Sequence, residues 1–258
     1  MSRPFAYIGS RLPQGWGDLI RQVVLFLAAY QAYQLVRGIA DGRAAVAFQN
    51  GDTVIQFERS LGAFFEPGFQ QALLDSQRWL VDFANFMYLN SHYVITGSFL
   101  IWLYLWRNEH FYFVRNMFMV AMVLALIGYA AFPTAPPRFY PEWGFTDTVA
   151  LFTGVEQDSK AVSLLVNPFA AVPSMHIAFA LMIAVPGASL SRTAAARALW
   201  TAYPLLVLFV VVATANHYWF DAAAGAAVAC LAAVGARQLA RLRPEAWSWR
   251  EEPPEAVA

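Results

Sequence analysis

Six apolar segments, each about 20 residues long and bordered by charged residues, proline or glycine, dominate the chain. They cover residues 19–39, 81–106, 111–132, 171–190, 199–217 and 220–239. About 20 apolar residues form a helix that crosses the ~30 Å hydrocarbon core of a bilayer. Only 13% of the residues are charged, about half of the ~25% usual in soluble domains. The sequence therefore predicts an all-α integral membrane protein, a bundle of six transmembrane helices.

The pattern indicates a single membrane domain. No repeat or low-complexity linker divides residues 19–242. We predict that residues 1–18 form a cytoplasmic N-terminal segment and that residues 243–258 form a cytoplasmic tail. The composition of this tail is typical of disorder. No small-residue cleavage site follows the first apolar segment, which favours an anchor over a signal peptide.

Two connections between the predicted spans are long. In residues 41–78, apolar residues alternate with charges, which is typical of amphipathic helices lying in the membrane interface. A soluble loop packed on the spans is the alternative. Residues 133–169 are rich in proline and aromatic residues, and a connection of this length usually serves as a lid or binding loop.

The arginines predict the orientation, because cytoplasmic loops retain Lys and Arg near the ends of spans. With six spans, the arginines that fall on one side are Arg3, Arg11, Arg107, Arg115, Arg192, Arg197, Arg237, Arg241, Arg243 and Arg250. Both termini are therefore predicted to be cytoplasmic. The start of span four, the end of span five and the proline-rich loop then share the extracytoplasmic face of the cell membrane.

Two of the four histidines lie at this predicted face. His176 belongs to the string PSMH, and His217 belongs to HYWFD. Ionisable groups at membrane depth are costly, so they are candidates for function. On a continuous helix, Thr214, His217 and Asp221 would share one face. Asp221 would then accept a hydrogen bond from one imidazole nitrogen and leave the other free to attack phosphorus.

The string PSMH predicts an anion site and an acid. Pro173 suits the first position of a helix, and the following N–H groups of Ser174, Met175 and His176 would bind an anion. His176 would protonate the departing oxygen as a general acid. Arg138 offers a planar guanidinium that matches phosphate oxygens. The alternatives are a structural hydrogen bond for the histidine–acid pair and lipid headgroups as the partner of Arg138.

Further polar residues are expected near this site. Several lie on one arc of the extracytoplasmic half of span two, where such a stripe should face the bundle interior. These residues have two possible roles, hydrogen bonds between helices and contact with the substrate, and the sequence does not decide between them. The supporting residues predicted for the site are Asp82, Asn85, Tyr88 and His92 on span two, and Thr214, Asn216 and Tyr218 beside the second histidine.

The ordered strings PTAPPR, NPFAAVPSMH and TANHYWFD resemble those of the type 2 phosphatidic acid phosphatase superfamily, and within it the branch related to inositol phosphorylceramide synthase. The resemblance covers about residues 85–240. It implies a six-helix fold and a reaction on lipid phosphates or phosphodiesters that needs no metal or cofactor and proceeds through a phosphohistidine. By this resemblance His217 is the nucleophile, Asp221 its partner and His176 the leaving-group acid. Arg138 is a phosphate ligand, and Ser174 lies in the phosphate-binding turn.

Three positions depart from the commoner phosphatase pattern. Val211 stands where that pattern has an arginine six residues before the nucleophile. Met175 replaces a glycine before the acid histidine, and Ala131 replaces a lysine seven residues before the first-motif arginine. Fewer cations would hold the phosphate, which matches the transferase-like branch better.

We therefore predict a membrane enzyme that passes a phosphoryl group or phospho-headgroup from a lipid to a polyol or lipid hydroxyl. A lipid phosphate phosphatase that releases phosphate to water is the alternative. A proton-coupled transporter is the alternative of another class, although the chain has no inverted repeat. A metalloenzyme would need His176, His217 and Asp221 as ligands. The formal net charge is zero, which gives no field that favours nucleic acid, and no motif encodes the acceptor or the oligomeric state.

Overall fold

The computed structural model describes residues 12–41, 43–155 and 168–242. The predicted cytoplasmic tail, the first eleven residues and Lys160 lie outside the described residues. The described residues form nine α-helices: α1 (Gly15–Asp41), α2 (Ala44–Ser60), α3 (Glu66–Ser76), α4 (Arg78–Trp106), α5 (Asn108–Ala131), α6 (Thr148–Thr153), α7 (Met175–Leu190), α8 (Ala194–Ala213) and α9 (Trp219–Leu242). Among them there is no named strand, which agrees with the predicted all-α class.

A helix occupies each of the six predicted spans. Three of these helices, α5, α8 and α9, are long and apolar enough to cross a membrane. Shorter apolar helical stretches lie in α7 and in the Tyr93–Trp106 part of α4. The structure thus supports a helical membrane protein, while the number of six spans stays a prediction.

Two of the predicted span boundaries are wrong, and both concern the candidate site. The fourth helix begins at Met175 rather than at residue 171, and the fifth ends at Ala213 rather than at residue 217. In both places the apolar run continues into non-helical chain that packs inside the protein, where Ala171 and Ala215 are fully or almost fully buried. Apolar composition alone does not reveal where such a helix ends.

Small residues bring the helices of the core close together. α7 packs on α8 and α9, and α9 also packs on α5. Ala178 in α7 and Ala232 in α9 have no exposed surface. A Cβ atom added at Gly225 of α9 would overlap the carbonyl of Ser174, directly before α7. Small residues of this kind allow close approach of helices in membranes, and here they join the start of α7 to α9.

The helices α2 and α3, together with residues 132–155, form a layer that we call the cap. Its own apolar cluster includes Ile55, Tyr140 and Tyr218, the last of which lies in the turn before α9. Gln70 of α3 donates to the carbonyl of Ala213 at the end of α8, at 3.0 Å. The cap therefore covers the ends of α8 and α9 where they meet. That α2 and α3 lie in the membrane interface stays a prediction.

Candidate active site

His217 lies in the turn between α8 and α9. The prediction of a continuous helix through Thr214, His217 and Asp221 is wrong, because α8 ends at Ala213 and α9 begins at Trp219. Ala215, within the turn, has a φ of 53°. This left-handed region is uncommon for residues other than glycine, asparagine and aspartate. The surrounding contacts must therefore hold the turn in place.

Backbone and side-chain hydrogen bonds supply those contacts. The N–H groups of Asn216 and His217 both donate to the carbonyl of Val211, at 3.0 and 3.2 Å. The Asn216 amide donates to the hydroxyl of Thr214 at 2.8 Å, and that hydroxyl donates to the carbonyl of Val210. Thr214 and Asn216 thus shape the turn that presents His217.

The contacts of the His217 ring define its tautomer. Its Nδ1 lies 3.0 Å from the carbonyl oxygen of Ala171 and 3.3 Å from Oδ2 of Asp221. Both partners are acceptors, so Nδ1 must carry the proton in the neutral ring. The lone pair is then on Nε2, which is the form that a nucleophilic imidazole requires. The turn, rather than a helical face, brings His217 and Asp221 together.

The ring of His176 faces the lone pair of His217. Its Nδ1 lies 3.2 Å from His217 Nε2. Because His217 Nε2 accepts, we assign the proton between the two rings to His176 Nδ1. On its other side, the His176 ring stacks on Tyr88 of α4, with centroids 4.9 Å apart. The structure therefore presents a proton donor and a lone pair to the same small volume.

Asp221 joins the two helices that carry the histidines. It is fully buried, and its Oδ2 also accepts from the N–H of Tyr218 at 3.0 Å. Its backbone carbonyl accepts from the N–H of Ser174 at 3.0 Å, directly before α7. The carboxylate thus orients His217 and closes the turn, while the main chain of the same residue anchors the start of α7.

Part of the predicted anion site at PSMH is wrong. Pro173 is not the first helical residue, because α7 begins at Met175 with Ser174 as its N-cap. The N–H of Ser174 is occupied by Asp221. The N–H groups of Met175 and His176 do belong to the first helical turn, where intrahelical partners are lacking. The hydroxyl of Ser174 is buried and has no hydrogen-bond partner among the described residues.

Arg138 reaches the same turn from the cap. It lies in a short 3-10 turn (Pro137–Phe139), and its backbone N–H donates to the carbonyl of Ala215 at 2.9 Å. Its Nη1 donates to Oδ1 of Asn216, next to His217. Its buried Nε has no hydrogen-bond partner within the described part of the chain and lies 3.9 Å from Oδ2 of Asp147. The guanidinium is thus fixed beside the histidines with a donor left over.

The predicted stripe on span two divides into different environments. Asp82 is exposed, away from the interior position that we expected. Asn85 is buried and exchanges hydrogen bonds with Thr148 of the cap, at 3.1 and 3.0 Å. Tyr88 contacts His176 as described above. His92 belongs to α4, but its side chain lies outside the described residues.

Several site features were not predicted from the sequence. Asp147 carried a local signal, because it precedes α6 and accepts from the N–H of Ala150 at 2.9 Å as its N-cap. Glu58 and Glu66 of the cap had no local sequence signal that points to the site. They contact the start of α9 from 162 and 153 residues away, and local patterns do not encode such distant pairs.

An apolar cavity lies beside His176, between α4, α7 and α8. It is lined by Met87, Tyr88, Ser91, His176, Tyr203, Val207, Val210 and Val211. Val211, which replaces the arginine of the commoner phosphatase pattern, is fully buried in this wall. Within the described residues, no group of three or more His, Cys, Asp and Glu side chains is arranged to hold a metal ion.

A family model described as the PAP2 superfamily matches residues 52–235, which is more than two-thirds of the chain. The matched region includes most of the cap, His176, His217, Arg138 and Asp221. No curated protein and no solved structure matches the chain.

Proposed function

The chain belongs to the PAP2 superfamily, and we propose that it transfers a phospho-headgroup from a membrane lipid, through His217, to a polyol or lipid hydroxyl. The superfamily indicates a lipid phosphatase or phosphotransferase type of function. One observation carries the proposal: Nε2 of His217 lies 3.2 Å from Nδ1 of His176, while Nδ1 of His217 faces two acceptors. A nucleophile and an acid thus share one buried site.

In the first step, His217 Nε2 attacks phosphorus as the bond from phosphorus to the lipid alcohol oxygen breaks. Entry of the substrate replaces the hydrogen bond between the histidines. His176 acts in its doubly protonated form: Nδ1 gives its proton to the departing oxygen, which leaves as a neutral alcohol, and the ring becomes neutral and keeps the proton on Nε2. General acid catalysis of this kind contributes about 10²–10⁴ in rate. Asp221 stabilises the positive charge that develops on the His217 ring, 3.3 Å away.

The second step reverses these roles. His176, now neutral and without its Nδ1 proton, accepts the proton of the acceptor hydroxyl. The acceptor oxygen attacks phosphorus, and the bond between phosphorus and His217 Nε2 breaks. The electron pair of that bond returns to Nε2, which restores the starting tautomer. Water in place of the alcohol would give a phosphatase.

The charge around the site favours a phosphodiester as the donor. Among the described residues, Arg138 is the only Arg or Lys with a recorded contact to the 214–218 turn. Asp147, 3.9 Å from its Nε, offsets part of that charge. A diester carries one negative charge at neutral pH, whereas a monoester carries up to two. One partly neutralised guanidinium suits the singly charged group, which supports transfer of a whole headgroup.

The apolar cavity beside His176 supports a lipid alcohol as the leaving group. The leaving oxygen receives its proton from His176, so the group attached to that oxygen must lie on the His176 side. Val207, Val210 and Val211 give this side an apolar wall. The cavity itself is small, so only the part of the leaving group next to its oxygen would contact this wall, and apolar carbon atoms suit that contact.

The proposed enzyme has six spans, both termini in the cytoplasm and its site at the extracytoplasmic face. Support comes from the six helices at the predicted segments and from the placement of the arginines. Reporter proteins fused to each end, active only in the cytoplasm, test this topology. Activity at both ends is expected, and a silent reporter at either end would contradict it.

The decisive experiment traps the intermediate and identifies its fate. The purified full chain is mixed for milliseconds with a lipid phosphodiester, quenched in base, and searched by mass spectrometry for a modified His217. The whole headgroup on His217, followed by its appearance on added inositol or another polyol, is expected. Release of phosphate to water in every mixture would replace the transferase with a phosphatase. Absence of any adduct during turnover would overturn the covalent mechanism.

A further inference from the structure

Two buried glutamates from the cap bind the first residues of α9. Oε1 of Glu58 accepts the N–H of Phe220 at 3.1 Å, and Oε1 of Glu66 accepts the N–H of Trp219 at 3.2 Å. The exposed fractions of Glu58 and Glu66 are 0% and 1%. Carboxylates at a helix N-terminus satisfy N–H groups that lack intrahelical partners and interact well with the helix dipole.

These contacts fall between the nucleophile and its partner. The N–H groups of Tyr218, Trp219 and Phe220 are consecutive, and each donates to a different carboxyl group: Asp221, Glu66 and Glu58 respectively. His217 precedes this segment, and Asp221 ends it. The position of the segment therefore sets the separation of His217 Nδ1 from Asp221 Oδ2.

We propose that Glu58 and Glu66 are positioning residues that hold the His217–Asp221 pair in its reactive geometry, with one proton shared between the two glutamates. The inference rests on the proposed role of His217. Neither glutamate touches the reacting atoms, so each acts through the main chain of residues 218–220. In addition, the indole N–H of Trp219 donates to the carbonyl of Ala63, between α2 and α3, at 2.9 Å.

The hydrogen bonds indicate where the shared proton lies. Both oxygens of Glu66 accept N–H groups, since Oε2 also accepts from Phe65 at 2.9 Å. An ionised carboxylate accepts in this way. Oε2 of Glu58 is buried and receives no hydrogen bond from the described residues. A protonated Glu58 solves this problem, because its hydroxyl can donate to Glu66.

The electrostatics agree with that placement. Burial, followed by the negative charge of Glu66 and a hydrogen bond with it, raises the pKa of Glu58 from 4.5 to about 9. Asp221 of α9 adds a smaller effect in the same direction. Burial also raises the pKa of Tyr218 well above 10, so that phenol stays neutral. Glu58 belongs to α2, outside the predicted spans.

Loss of this proton has a defined consequence. Above about pH 9 two facing carboxylates would repel each other inside the protein, and α2 and α3 would separate from the start of α9. The His217–Asp221 contact would loosen with them. The enzyme should therefore show a loss of kcat with an apparent pKa near 9 that belongs to the coupled pair, in addition to any loss that follows deprotonation of the general acid.

The test compares Glu58→Gln, Glu58→Ala and the control Glu142→Gln, an exposed acid in the cap. Glutamine mimics the protonated acid, since it accepts from Phe220 and donates to Glu66. E58Q should keep kcat at pH 7 within about 2-fold and move the alkaline loss up by at least about one pH unit. E58A should lower kcat about 10-fold at pH 7 with little change in KM. E142Q should match the parent protein throughout.

A loss of kcat near pH 9 that stays in place in E58Q, or full kcat in E58A, would overturn the positioning role. Each variant is compared per folded molecule, with the folded fraction measured by thermal unfolding in detergent. If the role were purely structural, the folded fraction would fall but the apparent pKa near 9 in the pH profile of kcat would not move. That outcome would also count against the proposal. Trapping of the adduct on His217 in the parent protein separates this result from failure of the proposed function.

Discussion

The two ends of α5 carry polar clusters that differ in how far their buried hydrogen-bond donors are satisfied. At its start, Arg115 is almost completely buried and donates from Nε and Nη2 to Asn116, and from Nη1 to Gln22. Gln22 and Tyr112 each donate to Asp18, at 2.8 and 3.0 Å. These side chains link α1 to α5 and use their hydrogen bonds on one another. Hydrogen bonds of this kind stabilise the association of helices in a membrane.

At its other end, α5 meets the candidate active site. Tyr129 donates to the carbonyl of Pro173, just before Ser174 and α7. Here the buried Ser174 hydroxyl and Arg138 Nε have no hydrogen-bond partner among the described residues. An unsatisfied buried donor costs about 1–3 kcal/mol. Most side chains of the first cluster are satisfied by one another, whereas the second cluster keeps unpaired donors close to the turn that carries His217, as we expect of a site that binds an anion.

Replacement of the nucleophile should give the largest effect. His217→Ala removes the atom that forms the covalent intermediate, so kcat should fall by at least about 10⁴. The control is His110→Ala, since His110 is half exposed near the start of α5 and should be dispensable. Headgroup transfer by the purified variants measures both. Turnover by H217A close to that of H110A would refute the assignment of His217.

Loss of the charge on Asp221 should come next. Asp221→Asn keeps the size of the side chain but no longer stabilises the charged His217 ring, so we expect kcat to fall about 10²–10⁴-fold with a smaller change in KM. Asp82→Asn serves as the control because Asp82 is exposed on α4. Equal activities of D221N and D82N would show that the carboxylate is only structural.

Matched removal of one cation from each cluster tests the comparison directly. Arg138→Ala should lower kcat/KM about 10–10³-fold, because a charge-assisted hydrogen bond to the substrate is lost, and should change stability little. Arg115→Ala should do the reverse and lower the free energy of unfolding by about 3–5 kcal/mol. Transfer rates per folded molecule and thermal unfolding in detergent measure the pair. Similar behaviour of the two variants would remove the distinction between the clusters.

The stack on His176 should give the smallest effect. Tyr88→Leu removes a ring at 4.9 Å, and aromatic pairs of this kind contribute about 0.5–1.5 kcal/mol. A fall in kcat of about 2- to 10-fold is expected as His176 becomes less well oriented. Phe86→Leu on the exposed face of α4 is the control. Equal kcat values for Y88L and F86L would show that the stack does not orient the acid.

The sequence predicted the helical elements well because their signal is local. Apolar runs with charged or proline borders predicted six segments, each of which contains a helix, and the family model confirms the predicted superfamily. The branch related to inositol phosphorylceramide synthase stays a prediction, as do the roles of the site residues. Composition did not reveal that α7 begins only after Ser174 and that α8 ends at Ala213, since the non-helical chain at both points is still buried and largely apolar.

The site was less accessible to sequence reasoning because its geometry depends on distant contacts. The left-handed residue of the turn is Ala215, a residue type that gives no warning of that conformation. The proton acceptors of His217 include the carbonyl of Ala171, which no side-chain pattern can report. Glu58 and Glu66 look like ordinary charges of amphipathic helices. Only the folded chain shows that they meet the start of α9.

The contact at Gly225 makes assembly of the histidine pair depend on the last described helix. His176 faces His217 only when α7 lies against α9, and that approach depends on Gly225 lying against the Ser174 carbonyl. The last helix emerges from the ribosome after every other described element has been made. A nascent chain that has already inserted most of its helices still lacks the contact that joins α7 to α9, so the two histidines are brought together only after α9 has been made.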